Sequence, residues 1–208
     1  MPKTVLVIDT AFESCQVGVW QEDKCVTMAS VAGGGKHDIV LAPLVEEIFK
    51  VHKIAVKDIE KIVVTTGPGR FTGLRVGIAF ARGLALVNRT PMAGVLTSDA
   101  LRWQMARDYA DHQNKAVIVA VKRGESFIQR ENGPIERVMD TELAGWFDAG
   151  QETLLAGMIS AEAAPILKDL AHVRVVENMT EPSLEAIFAV SRSAAAEKTA
   201  LIRPYYAI

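Results

Sequence analysis

Gly67-Pro68-Gly69-Arg70-Phe71-Thr72-Gly73-Leu74-Arg75-Val76-Gly77 decides the reading of this 208-residue chain. The stretch follows the apolar run Ile62-Val63-Val64-Thr65-Thr66 and opens a long apolar segment, Leu74 to Val87. It is a glycine-rich turn between a buried strand and a helix. Two roles fit such a turn. The free N–H groups of a helix start can hold an anion. Alternatively, Gly67 and Gly69 serve a tight turn and Thr72 caps the helix. The common phosphate-binding forms do not match. A P-loop ends in Gly-Lys-Ser/Thr, and this turn offers Gly73-Leu74-Arg75. A dinucleotide fingerprint follows the first strand, and this turn follows a later one.

Upstream of the turn, the pattern predicts strands at 3–9, 14–20 and 24–31, a helix at 39–52 and a strand at 61–65, with Gly33-Gly34-Gly35 as a connector. The turn's own helix is expected at 72–87. Beyond it come a short strand at 92–95 and a helix at 98–108. Strands at 116–121 and 126–130 follow, then helices at 141–148 and 160–171 and a strand at 173–176. Pro182 suits the start of a last helix at 182–197. The second half reads as reduced, with fewer strands and shorter apolar runs. In the expected hairpin Val19 faces Val26, Val17 faces Met28, Cys15 faces Ser30 and Cys25 pairs with Trp20. The two thiols then stand roughly 16 Å apart at strand rise. That is too far for a disulfide, so both are expected reduced.

Half the residues are hydrophobic and the formal net charge is −2, which describes a folded chain without the basic excess of a principal RNA-gripping surface. No charge-free run of 18 apolar residues is present, so no membrane span is predicted. Met1-Pro2-Lys3 runs straight into a strand, which predicts no signal peptide and a cytoplasmic location.

The eleven-residue turn, Gly-Pro-Gly-x-Phe-Thr-Gly-Leu-Arg-x-Gly, resembles the signature of the TsaB family of bacterial tRNA threonylcarbamoyladenosine biosynthesis proteins. Val5-Leu6-Val7-Ile8-Asp9-Thr10-Ala11 is similar to the family's first strand and turn. Lys36-His37-Asp38 leading into Leu41-Ala42-Pro43-Leu44-Val45 resembles its first long helix. Lys122-Arg123-Gly124-Glu125 resembles a second-lobe motif. The likeness is strong over residues 1 to about 100 and patchy beyond. Arg70 and Ala11 stand where the family usually has Ser, and Ala120 stands where the second-lobe motif usually has Asp. The chain is short for the family, and Pro204-Tyr205-Tyr206 echoes the usual ending.

The resemblance implies an α/β fold of two lobes, of the actin-like ATPase type. Each lobe is a mixed sheet with helices, and the second is reduced. The first lobe, 1–105, would carry a βββαβα order; the second would cover 106–208, with the helix at 182–197 packing back on the first. The related TsaD family is a metal enzyme with a His-x-x-x-His pair on its first helix, where one helical turn brings both imidazoles to one ion. Here His37 is followed four positions later by Leu41, which cannot coordinate a metal, so no metal site is expected. Asp9, Gly69 and Arg75 are the candidates for touching a cofactor. Asp9 and Thr10 equally close a turn through their side chains. No cofactor is expected, apart from a nucleotide at a partner junction.

The helix from Leu74 to Val87 is apolar around most of its circumference, and the one at 39–52 also carries apolar excess. A surface helix is apolar on one stripe. Either the two helices pack on each other and on the sheet, or they form a docking face. The resemblance favours the second, with Leu41, Leu44, Val45, Ile48, Arg75, Gly77, Phe80, Ala81 and Leu84 at the interface. It implies a non-catalytic scaffold that pairs with TsaD in threonylcarbamoyl transfer to the tRNA adenosine beside the anticodon. TsaE joins the assembly, tRNA is met only indirectly, and the isolated chain is a homodimer. The alternatives are a small-molecule kinase or ATPase of the same superfamily, or a homodimeric binding module.

Overall fold

The computed structural model describes residues 3–32, 34–131, 133–194 and 202–205. These form two units. One comprises residues 3–97 with 184–194 and 202–205, the other residues 98–183. The division falls after Thr97 rather than after residue 105.

In the first unit the order is β1 (Thr4–Asp9), β2 (Ser14–Gln21), β3 (Lys24–Ala32), α1 (His37–His52), β4 (Ile59–Gly67), α2 (Phe71–Asn88) and β5 (Met92–Leu96). The sheet order is β3-β2-β1-β4-β5, with β1, β2 and β3 antiparallel and β1, β4 and β5 parallel. Side chains alternate between the faces of a strand. One face sends Leu6, Ile8, Val17, Val19, Ile62 and Val64 under α1 and α2. The other face takes Trp20, whose ring stacks on Phe188 with centroids 4.8 Å apart.

The second unit opens with α3 (Thr97–Asp108) and continues through β6 (Lys115–Lys122), β7 (Glu125–Arg130), β8 (Ile135–Met139), α4 (Leu143–Trp146), β9 (Thr153–Met158), α5 (Ala163–Lys168) and β10 (Val173–Val175). Its sheet order is β10-β9-β6-β7-β8. The last described helix, α6 (Leu184–Ser191), belongs with the first unit, where the Lys61 ammonium donates 2.7 Å to the Ser191 carbonyl at its C-terminal end. Residues 195–197, where that helix was expected to continue, lie outside the described residues.

Three expectations are corrected. The second sheet has as many strands as the first, because β8 and β9 were not foreseen; the reduction lies in its helices. The helix after the glycine turn begins at Phe71 with Arg70 as its N-cap, so Thr72 is inside the helix and caps nothing. In the β2–β3 hairpin, Trp20 pairs with Cys25 but Val19 pairs with Thr27. Val26 is the extra residue of a β-bulge, which shifts the rest of the register by one. Cys15 therefore faces Val31 rather than Ser30. Both cysteines are free thiols. Burial, with a smaller push from Asp9, raises the Cys15 thiol to about 11. No helix among the described residues is long and apolar enough to cross a membrane.

Candidate functional site

The glycine turn lies against the β1–β2 turn, and the backbones of the two nearly touch. Arg70 N–H donates 2.7 Å to the Ala11 carbonyl, and the Thr10 hydroxyl donates 2.8 Å to the Gly73 carbonyl. A Cβ added at Gly69 would stand 2.7 Å from the Ala11 oxygen, and one at Gly73 would overlap the Thr10 oxygen. These two positions are glycine because another backbone occupies the side-chain space. The structure thus places protein carbonyls where a phosphate cradle would need room and donors. Arg70 forms an ion pair with Glu13, so its charge is met within the same pair of turns.

Asp9, fully buried at the end of β1, serves the same junction. Its Oδ1 accepts from the Thr65 hydroxyl at 2.6 Å and from the Ala11 N–H at 2.9 Å. This carboxylate ties β1 to β4 and closes its own turn. Arg75 points elsewhere, with its guanidinium 3.7 Å above the Phe71 ring on the exposed side of α2. Asp9, Gly69 and Arg75 do not converge on one point. His37 is buried, and its Nε2–H donates 3.0 Å to the Phe12 carbonyl. Leu41, one turn later, is 1% exposed and part of the core. The residues present do not fit the metal pair of the related enzyme. Among the described residues, no three side chains of His, Cys, Asp or Glu gather as a ligand set.

In the second unit, Lys122-Arg123-Gly124-Glu125 forms the tight β6–β7 turn, with Gly124 at φ +76°. Hydrogen bonds from Lys122 and then Arg137 hold the Glu125 carboxyl below the ordinary carboxylate range. Arg123 reaches Glu162 at 3.1 Å. Ala120 leaves this strand end without a carboxylate of its own. The buried acid nearby is Asp140, which accepts from the Ser126 hydroxyl at 2.7 Å and the Ser160 hydroxyl at 2.6 Å. Ser160 in turn accepts from the Ala163 N–H, so this network fixes the start of α5 rather than an open site.

The helices give the main correction. Leu41, Leu44, Val45 and Ile48 are all buried in the core of the first unit, as are Gly77 and Ala81 on α2. All six are covered within the chain itself. Phe80 and Leu84 are half-buried, and Arg75 is exposed. The signal was legible: positions 41, 44, 45 and 48 are spaced i, i+3, i+4, i+7, the stripe by which a helix meets its own sheet. The exposed large apolar residues of the two helices are others: Ile39 (65%), Val51 (66%), Phe71 (50%), Leu86 (74%) and Val87 (66%).

Residues 32–202 match the family model of TsaD, tRNA N6-adenosine threonylcarbamoyltransferase. The tRNA threonylcarbamoyladenosine biosynthesis protein TsaB of Escherichia coli (strain K12) is 39% identical over 93 residues, 45% of this chain and 40% of that protein. TsaB of Buchnera aphidicola subsp. Schizaphis graminum is 31% identical over 121 residues, 58% of this chain and 56% of that protein. The chain thus spans about half the length of these curated relatives. The structure of YeaZ from Pseudomonas aeruginosa superimposes with a TM-score of 0.76 at 20% identity, covering 98% of this chain and 99% of that one. That likeness shows a shared fold.

Proposed function

We propose that this chain, which belongs to the family of TsaD, tRNA N6-adenosine threonylcarbamoyltransferase, and within it to the TsaB branch, is a non-catalytic docking subunit in tRNA threonylcarbamoyladenosine synthesis. Its partner in this reading is the TsaD enzyme, which performs the transfer to the adenosine beside the anticodon. TsaE joins the assembly, and tRNA is met only through the partners. The assembly is cytoplasmic.

One observation carries the reading: the two long helices of the first unit keep large apolar side chains in solvent. Leu86 and Val87 end α2 at 74% and 66% exposure, and Ile39 begins α1 at 65%. Between the ends of α2, Phe80 and Leu84 are half-buried, and Arg75 is exposed near its start, over Phe71. The starts of the two helices lie together, with His37 against Gly73, so Ile39 and the Leu86–Val87 pair stand at opposite ends of the helix layer; large apolar side chains left in solvent along such a layer support an interaction surface. Two further features support the non-catalytic part. Leu41 stands in the core at the second ligand position, and the glycine turn is closed by protein carbonyls. In the absence of TsaD the same face serves self-association.

The test is co-purification of tagged chain with its own TsaD, paired with mass spectrometry of tRNA from a strain depleted of this protein. Capture of TsaD, and loss of threonylcarbamoyladenosine on depletion, are expected. Wild-type modification levels after depletion would overturn the function; normal modification without any captured TsaD would overturn the docking role.

A further inference from the structure

The second unit carries a depression of about 360 Å³ where the N-terminal ends of β6 and β9 meet the C-terminal end of β7. It lies at the opposite end of the strands from the β6–β7 turn. Its volume is at the small end of those that hold small molecules, but its wall is unlike a common apolar pocket. Four of its residues are charged: Lys115, Arg130, Glu131 and Asp148.

Arg130 is the organised element. Its guanidinium lies over the Trp146 ring at 3.9 Å from the centroid, and one Nη2 N–H donates 2.6 Å to the Trp146 carbonyl. A guanidinium fixed by stacking and one hydrogen bond keeps the rest of its planar fork ready for a carboxylate. Lys115 is held within the wall, with its ammonium 2.8 Å from the His112 carbonyl and 3.6 Å from Glu131 Oε1. Asp148 uses Oδ1 on the Gly150 N–H at 2.9 Å. The wall therefore offers a preset cation beside acidic oxygens, and its formal charge sums to zero.

That balance selects the ligand class. A simple anion would gain from Arg130 but meet Glu131 and Asp148. A simple cation would meet Arg130. A small zwitterion satisfies both signs without leaving a net charge in the wall. We propose that this depression is a site for a small α-amino acid, with the carboxylate on Arg130 and the ammonium on Asp148 and Glu131. The side chain would then lie over Ala116 and Phe147 in the floor.

Ligand-observed NMR on the full chain tests this with L-alanine, propionate and ethylamine as probes. L-alanine should bind saturably with a dissociation constant on the order of 1 mM or tighter. Propionate and ethylamine, which each lack one charge, should bind roughly tenfold more weakly, a difference of about 1.4 kcal/mol. Arg130→Met and Asp148→Asn, each checked for an unchanged circular dichroism spectrum, should each lower the L-alanine affinity by a similar factor. Asn keeps the oxygen that Gly150 uses, so Asp148→Asn tests the charge even if Arg130→Met disturbs the fold. Absence of saturable L-alanine binding would overturn the proposal. So would equal binding of propionate, or unchanged L-alanine affinity in the folded Asp148→Asn variant.

Discussion

The two sheets share one plan and differ in what covers it. In each, three antiparallel strands are extended by two parallel ones, β3-β2-β1-β4-β5 in the first and β8-β7-β6-β9-β10 in the second. In the first, the connections into the two parallel strands are helices of 16 and 18 residues. In the second, the corresponding helices have 4 and 6 residues. A helix of 16 residues runs about 24 Å and has a face to spare after its core stripe is buried. A helix of 4 residues has one turn and no second face. So the exposed apolar helix surface belongs to the first unit, and a repeated sheet need not carry a repeated function.

The sharpest way to break this contrast is to put the same charge on the two faces of the long helices. Val45, at 4% exposure, lies on the core stripe of α1. Val45→Glu should cost about 4 kcal/mol or more, because an unpaired carboxylate enters an apolar core. Against a typical stability of 5–15 kcal/mol, thermal melting by circular dichroism should show an unfolded or strongly destabilised chain. Leu86→Glu should change folding stability by less than about 0.5 kcal/mol, as its side chain is in solvent. It should weaken binding of TsaD by roughly 100-fold, about 2–3 kcal/mol, if Leu86 is an anchor of the interface. Equal melting curves for the two variants would dissolve the distinction between stripe and face. Unchanged TsaD affinity in Leu86→Glu would move the interface off this end of α2.

Two glycines within α2 sharpen the same point at smaller cost. Gly73→Ala drives a methyl into the Thr10 carbonyl, and should destabilise the chain by about 1–3 kcal/mol. Gly83 is exposed and has no atom within 4 Å of an added Cβ. Gly83→Ala should therefore stabilise the free chain by about 1 kcal/mol, through helix propensity alone. Urea denaturation of both variants reads the opposite signs. If Gly83→Ala stabilises folding yet weakens TsaD binding, the partner's backbone comes close at that position.

The turn at 67–77 made the first unit legible, because strand, glycine and apolar helix follow one another without interruption. The second sheet was only half legible for two separate reasons. In β9, Thr153–Leu154–Leu155–Ala156–Gly157, every residue is buried, so no alternation announces a strand. In β8, three half-covered and two exposed residues beginning just after Pro134 give too short a pattern. The helical face failed differently. Leu41, Leu44, Val45 and Ile48 were read as surplus apolar residues, although their spacing was that of a core stripe. Arg130, Trp146 and Asp148 could not be joined from sequence, since they come from β7, the end of α4 and the loop beyond it.

The smallest expected effect separates the units by acid. The β6–β7 turn is held by ions: Glu125 takes Lys122 at 2.6 Å and the Arg137 Nε at 2.6 Å. Those hydrogen bonds depress the Glu125 pKa below its usual 4.5. A carboxylate depressed in the folded state binds protons more weakly there than when unfolded. Its contribution is therefore complete above 4.5, and it is lost as pH falls through the lower folded value. The side chain is 12% exposed but its bonds reach Lys122 in the turn and Arg137 on the neighbouring β8, so the loss is a local loosening of that turn rather than an unfolding. Hydrogen exchange of the Ser126 and Phe127 amides should rise, relative to the β1 amides, as the medium passes from neutral to below pH 4. In Glu125→Gln the group no longer titrates. The β7 amides should then exchange faster at neutral pH, with a ratio to β1 that stays flat on acidification. An acid response that survives in Glu125→Gln would assign it to another group.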